Sequence, residues 1–200
     1  MPVGASQVFA RVDAGASPGS VERPGFPAPA TDDKFIRMKL AFVIFRYFPY
    51  GGLQRDMLTL ARHFNEHGHE ITVFCERWDV EKFPAIKVVE IPSRGLFNVA
   101  GVKCFVENFL AQYPRNNFEA LIGFNKMPGL DVYFAGDTCF ACKAYGERNW
   151  IYRLMPRTRL YLRYENAVFG EQSETKILSL VSAEQKAFTI FYGTAQARFH

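Results

Sequence analysis

The sequence predicts an α/β fold, a Rossmann-like parallel sheet flanked by helices. Three observations carry this. Short apolar runs alternate with amphipathic helical patterns along the chain. The strand candidates are apolar at consecutive positions, as strands covered on both faces are. A glycine pair, Gly51-Gly52, stands where the first strand hands over to the first helix.

Residues 39–45 (KLAFVIF) read as the first strand. Leu53, Met57, Leu60, Ala61 and Phe64 then recur at helical spacing until Gly68, a residue suited to stop a helix. Residues 70–76 (EITVFCE) and 86–91 (IKVVEI) read as strands. A helix over about 101–113 gathers Val102, Phe105, Val106, Phe109 and Leu110 on one face and ends at Pro114. Residues 120–124 (ALIGF), 132–135 (VYFA) and 176–181 (KILSLV) supply three more strands.

Composition bounds the rest. Two hundred residues, 48% hydrophobic and 22% charged, fit one domain of ordinary size. The longest uninterrupted apolar run is Leu40 to Phe45, far short of the roughly 20 residues of a spanning helix. Four scattered cysteines do not make a secreted disulfide framework, so a reducing cytoplasm is the expected setting. The first 37 residues are rich in Pro, Gly, Ala and Ser, hold five of the eleven prolines and show no apolar periodicity. They are expected to be a disordered extension without signal-peptide features, Met38 being a candidate functional start. Their four basic residues cancel four acidic ones, which assigns the net charge of +4 to residues 38–200.

Ligands of such sheets bind outside the carboxyl ends of the strands, here RYFPYGG, NKMPGLD and GDTC. Gly51 and Gly52 let a backbone approach a ligand and open a helix whose N–H groups favour phosphate. A tight strand-to-helix turn would need the same residues. Glu76, 24 residues after Gly52, stands near the distance of a ribose-binding carboxylate, but no G-x-G-x-x-G occurs and a nicotinamide cofactor ranks third.

YFPYGGLQRDM together with GFNKMPGLDVYFAGD (residues 123–137) resembles the lipopolysaccharide core glucosyltransferases, retaining two-domain GT-B enzymes that move glucose from UDP-glucose to inner-core heptose. The likeness runs from Met38 to about His200 and covers only the acceptor-side half of such an enzyme; the donor domain is expected to be absent. By motif position the resemblance places Gly51 and Gly52 near the donor's diphosphate. Asp56, read as lying in the first helical turn, would face the same cleft, and Asp137 would stand beside the transferring sugar and the attacking hydroxyl. Bland roles compete: Asp56 could favour the helix dipole, and Asp137 could cap a segment starting at Thr138. Asn125 and Lys126 are candidates for acceptor hydroxyls or phosphates, a solvated lysine being the alternative. No D-x-D pair occurs, so no metal is expected, and the family is likewise metal-independent.

Cys139-x-x-Cys142 lacks the second pair that a zinc site needs and reads as two structural thiols. His63, His67 and His69 cluster at a helix end and receive no role. Residues 143–164 hold Lys143, Arg148, Arg153, Arg157, Arg159 and Arg163 against the single acid Glu147, interleaved with Trp150, Tyr152, Tyr161 and Tyr164. This mixture suits an anionic membrane surface, where a phosphate-bearing glycolipid acceptor would lie. Nucleic acid is disfavoured because no helix-turn-helix, zinc-finger or RNP signature appears; a solvated basic helix face is the plain alternative. The expectation is therefore a peripheral protein on the inner face of the cytoplasmic membrane, inactive alone. A noncatalytic saccharide- or membrane-binding module derived from a transferase is the rival.

Overall fold

Residues 40–43 have apolar side chains on both sides of the strand and need cover on both faces, which places this strand at the centre of the sheet. A computed structural model describes residues 37–93 and 99–200, and these belong to a compact unit running from Phe35 to His200. The expected disordered segment lies almost wholly outside the described residues.

The strands are β1 (Lys39–Val43), β2 (Arg46–Tyr47), β3 (Glu70–Cys75), β4 (Arg77–Trp78), β5 (Lys87–Glu90), β6 (Ala120–Gly123), β7 (Val132–Ala135) and β8 (Lys176–Ser179). The helices are α1 (Gly52–Glu66), α2 (Val99–Gln112), α3 (Trp150–Leu154), α4 (Pro156–Phe169) and α5 (Ser182–Tyr192), with a π-helical turn at Cys142–Glu147. Six strands pair in the order β5-β3-β1-β6-β7-β8, every pair parallel. The chain travels outward from β1 through β3 to β5, then returns to the other side of β1 and continues through β6 and β7 to β8. The direction reverses between β1 and β6, the crevice where such sheets bind ligands.

Side-chain alternation sorts the core into two layers. Leu40, Phe42 and Ile44 pack with Met57, Leu58 and Ala61 of α1 on one face. Ala41 and Val43 pack with Phe105 and Phe109 of α2 and with Val168, Phe169 and Phe188 on the other. Phe169 of α4 and Phe188 of α5 stack with ring centres 3.6 Å apart, tying those helices together.

Element ends follow local chemistry. Gly68, at φ +85°, follows the C-cap of α1, where His69 N–H donates to Phe64 O and Gly68 N–H to Asn65 O, a Schellman closure. Pro156 opens α4 at the first helical position, where a missing N–H costs least. Arg198 caps the other end of α4 by donating to the carbonyls of Val168, Phe169 and Gly170. His200 N–H then donates to Ile177 O at 2.9 Å, so the last residues cover the outer edge of β8.

The observed elements depart from the expected ones most clearly at β2, at β8 and in the basic segment, and β4 and α5 have no expected counterpart. The strand expected over 39–45 breaks after Val43 and resumes as the two-residue β2, which pairs with β4 and is backed by Tyr47 stacked on Trp78 at 3.9 Å. Residues 180 and 181 leave β8, and α5 follows at once. Within the basic segment Pro156 divides one helical stretch into α3 and α4.

Candidate active-site cleft

The carboxyl ends of β1 and β6 are stitched together at the reversal point by Asn125, whose Oδ1 accepts the Phe45 N–H at 2.8 Å. On one side of this crevice α1 begins. Its N-cap, Gly51, is extended (φ −86°, ψ 138°) and supplies no side-chain cap, so the first-turn N–H groups have no side-chain acceptor from that residue. The two glycines differ. A Cβ on Gly51 would lie 1.8 Å from Gln54 Oε1 and 2.8 Å from the Phe48 ring, whereas a Cβ on Gly52 would meet open space. Gln54 is held by its own bond, Nε2 donating to Arg46 O at 3.1 Å. A side chain at Gly51 would therefore have to displace Gln54 from its bond to Arg46 O, and one at Gly52 would displace nothing.

On the other side lies the loop after β7. A Cβ on Gly136 would come within 3.0 Å of Leu53 Cδ1, so the Asp137 loop and the first turn of α1 are in close approach. Asp137 is exposed and lines a cavity of about 390 Å³ with Phe45, Asn125, Lys126, Thr138 and Phe140, closed by Lys143, Arg157 and Tyr161. Asp137 does not cap a helix: the helical turn begins at Phe140, three residues later. Asp56 sits beyond the first turn of α1, which holds no acid, so the expected first-turn position and its dipole alternative are both corrected. Gly51, Gly52 and Asp56 do not line the cavity beside Asp137.

Lys126 is neither a solvated lysine nor a free point charge. Its side chain is 10% exposed, and Nζ lies 2.6 Å from Oε1 of the fully buried Glu165 and donates to Thr138 O at 2.7 Å. Glu165 is the residue that sequence reasoning missed. Besides Lys126 it accepts Phe140 N–H and Ala141 N–H, both at 2.8 Å, and the Tyr192 hydroxyl at 2.7 Å. Glu184, in the first turn of α5, accepts Cys139 N–H at 3.1 Å. Three successive backbone donors after Asp137 are thus held by carboxylates from α4 and α5. Burial and the neighbouring Glu165 push the Tyr192 hydroxyl pKa far up, so it stays a donor. Burial, then Asp137 and Glu165, also raise that of Tyr133, whose hydroxyl has no hydrogen-bond partner among the described residues.

The remaining candidates fall outside the cleft chemistry. Cys139 is buried, its thiol pushed up to about 12 chiefly by desolvation; among the described residues no cluster of His, Cys, Asp and Glu could hold a metal ion. His69 Nδ1 accepts Met38 N–H, tying the start of β1 to the segment after α1, and His67 Nδ1 lies 2.7 Å from His63 O, a local helix-end contact. Glu76 accepts the Ser93 hydroxyl. In the basic segment Arg148 lies over Tyr152, Arg153 over Tyr145, Arg157 over Tyr161 and Arg163 over Tyr164, at 5.1–5.6 Å. Trp150, Ile151, Leu154 and Met155 are exposed among them, and Arg159 is exposed as well. No described helix is long and apolar enough to cross a membrane.

No protein-family model matches the chain. Over 165 residues it is 36% identical to the lipopolysaccharide glucosyltransferase WaaG of Escherichia coli (strain K12), a match that covers 81% of this chain and 43% of that protein. The crystal structure of WaaG, a glycosyltransferase involved in lipopolysaccharide biosynthesis, matches with a TM-score of 0.77 and 34% identity over 80% of this chain and 44% of that one. The chain thus spans less than half the length of the relative it matches. Sequence and fold agree on one conclusion: through its Rossmann-like domain, this chain is a homologue of the lipopolysaccharide glucosyltransferase WaaG.

Proposed function

We propose that this chain is the acceptor-side half of a retaining GT-B glycosyltransferase that moves glucose from UDP-glucose to the inner-core heptose of lipopolysaccharide. The observation that carries the reading is the cleft at the β1/β6 reversal, where the uncapped start of α1 and the Asp137 loop meet at the Leu53–Gly136 contact. The open N–H groups and dipole of α1 suit the donor's diphosphate, with Gly52 leaving room for its approach. Asp137 faces the hydroxyl that must lose a proton as it attacks, and Asn125, whose Oδ1 is engaged by Phe45, offers its amide N–H groups to acceptor hydroxyls. Asp56 adds a supporting charge on α1.

Transfer requires positive charge at the departing UDP, and this domain supplies little of it. Each lost contact of that kind costs about 3–4 kcal/mol, or two to three orders of magnitude in rate. The chain alone is accordingly inactive, and no metal enters the scheme. Arg148, Trp150, Arg153, Arg157, Arg159 and Arg163 carry the protein to anionic lipid on the inner face of the cytoplasmic membrane. Exposed Trp150, Ile151, Leu154 and Met155 beside these cations support that docking.

Radiolabelled UDP-glucose and a heptose-terminated core acceptor test the proposal with the chain alone and with the chain joined to the second domain of WaaG. Transfer should occur in the fusion only and fall in its Asp137→Asn variant. Transfer by the chain alone, or full activity in Asp137→Asn, would refute the assignment; a fusion without transfer would favour the noncatalytic module.

A further inference from the structure

The cavity beside Asp137 contains three cations, and they are not equivalent. Lys126 is consumed by Glu165. Lys143 and Arg157 are exposed, and neither takes part in an ion pair among the described residues. Arg157 is steadied from one side by the Tyr161 ring, 5.5 Å away, which leaves the N–H edge of its guanidinium to a ligand. The same wall is aromatic: Phe45, Phe140 and Tyr161 line it, and Phe140 meets Tyr161 edge-on at 5.7 Å. Rings of this kind suit the C–H face of a saccharide, and the volume of about 390 Å³ falls within the range of small-molecule sites.

We infer that this cavity is a subsite for an anionic sugar. Lys143 and Arg157 hold a phosphate monoester on the ring, the aromatic wall takes the ring face, and a free hydroxyl is left towards Asp137. Asp137 itself fixes the orientation, because a dianion cannot sit against a carboxylate while two unpaired cations stand on the same wall. The inference rests on the proposal that this cleft receives the acceptor, and names the chemical class that it selects. The cations are side chains on two separate elements, the π-helical turn and the first turn of α4. The α4 residue next to Arg157 is Thr158, which is buried, so Arg157 is the outward-facing member of that turn.

Isothermal titration of the whole chain without UDP-glucose, using glucose 6-phosphate, glucose and inorganic phosphate as probes, tests this directly. Glucose 6-phosphate should bind at least tenfold more tightly than either glucose or phosphate, and more weakly as salt rises. The Lys143→Gln/Arg157→Gln double variant should lose at least tenfold in that affinity with an unchanged circular dichroism spectrum. Lys176→Gln/Lys186→Gln, exposed cations outside the cavity, should bind as the parent does. Equal affinity for glucose and glucose 6-phosphate, no binding of any probe, or equal losses in both double variants would overturn the subsite. Displacement of glucose 6-phosphate by equimolar UDP would also overturn it, assigning the cations to the donor. These outcomes are independent of the transfer assay: a fusion without transfer removes the acceptor reading and leaves the measured sugar-phosphate affinity standing.

Discussion

Removing the charge of Glu165 should cost far more stability than removing its partner, Lys126. In Glu165→Gln the Lys126 ammonium, 10% exposed, loses its only charged partner among the described residues and keeps the Thr138 carbonyl and the Phe169 and Phe188 ring faces, and an amide N–H is forced towards backbone donors that previously met a carboxylate oxygen. In Lys126→Met the Glu165 carboxylate keeps three donors within 2.8 Å, from Phe140, Ala141 and Tyr192. Breaking a buried pair by removing one partner costs about 3–5 kcal/mol when the other is left uncompensated. That describes Glu165→Gln; Lys126→Met should cost about 1.5–3 kcal/mol, the scale of one charged hydrogen bond. For a domain of this size the larger figure corresponds to a melting-temperature loss of roughly 6–20 °C. Urea unfolding followed by circular dichroism measures both, and an unchanged m-value identifies the loss as native-state destabilisation. The double variant should recover part of the loss, giving a coupling energy of about 0.5–3 kcal/mol. Equal costs for the two single variants, or a cost below about 1 kcal/mol for Glu165→Gln, would refute the clamp.

Two further outcomes separate local roles. Gly52→Ala should stabilise the chain by about 0.4–1 kcal/mol, since its Cβ meets open space in a helical backbone, whereas Gly51→Ala should destabilise it by displacing Gln54; chemical denaturation of each reads the sign, and a destabilised Gly52→Ala would contradict the packing argument. Burial pushes the Asp131 carboxyl up, but hydrogen bonds from Arg115 and from Leu121 N–H outweigh it and hold it below the ordinary carboxylate range. Its contribution, on the order of 1 kcal/mol, is present above the unfolded value near pH 4 and lost as pH falls through the folded one, so Asp131→Asn should flatten the acid limb of the stability–pH curve.

The sequence made the sheet legible because β1, β3, β6 and β7 are apolar at successive positions, a pattern that only two-sided burial explains. Gly68 was readable for an equally local reason, its left-handed closure of α1. What escaped depends on distance or on brevity. Glu165 and Lys126 are 39 residues apart, and neither residue carries a local mark of the other. The one available signal was position: Glu165 precedes Val168 and Phe169 by three and four residues, so it shares their buried face. A carboxylate on such a face must have partners. The short β2 and β4 offered two residues each, below any periodicity. In α5 the pattern is blurred because Ile190 is 80% exposed while Phe188 is buried.

Two helical starts flank the cleft, and the protein treats them oppositely. After Asp137 the backbone N–H groups of Cys139, Phe140 and Ala141 would form an anion site by themselves, yet Glu184 and Glu165 already occupy them. A phosphate cannot bind there without displacing a buried carboxylate that also neutralises Lys126. At the start of α1 the N-cap Gly51 offers the N–H groups no side-chain acceptor, and the residue in the first helical position has no side chain at all. The open start suits a diphosphate that approaches along the backbone. The plugged start leaves only the outward side chains, Lys143 and Arg157, to attract charge on the Asp137 side. The division of donor and acceptor that we propose for the two walls would follow from which helical start is stoppered, and Glu165 holds that stopper in place.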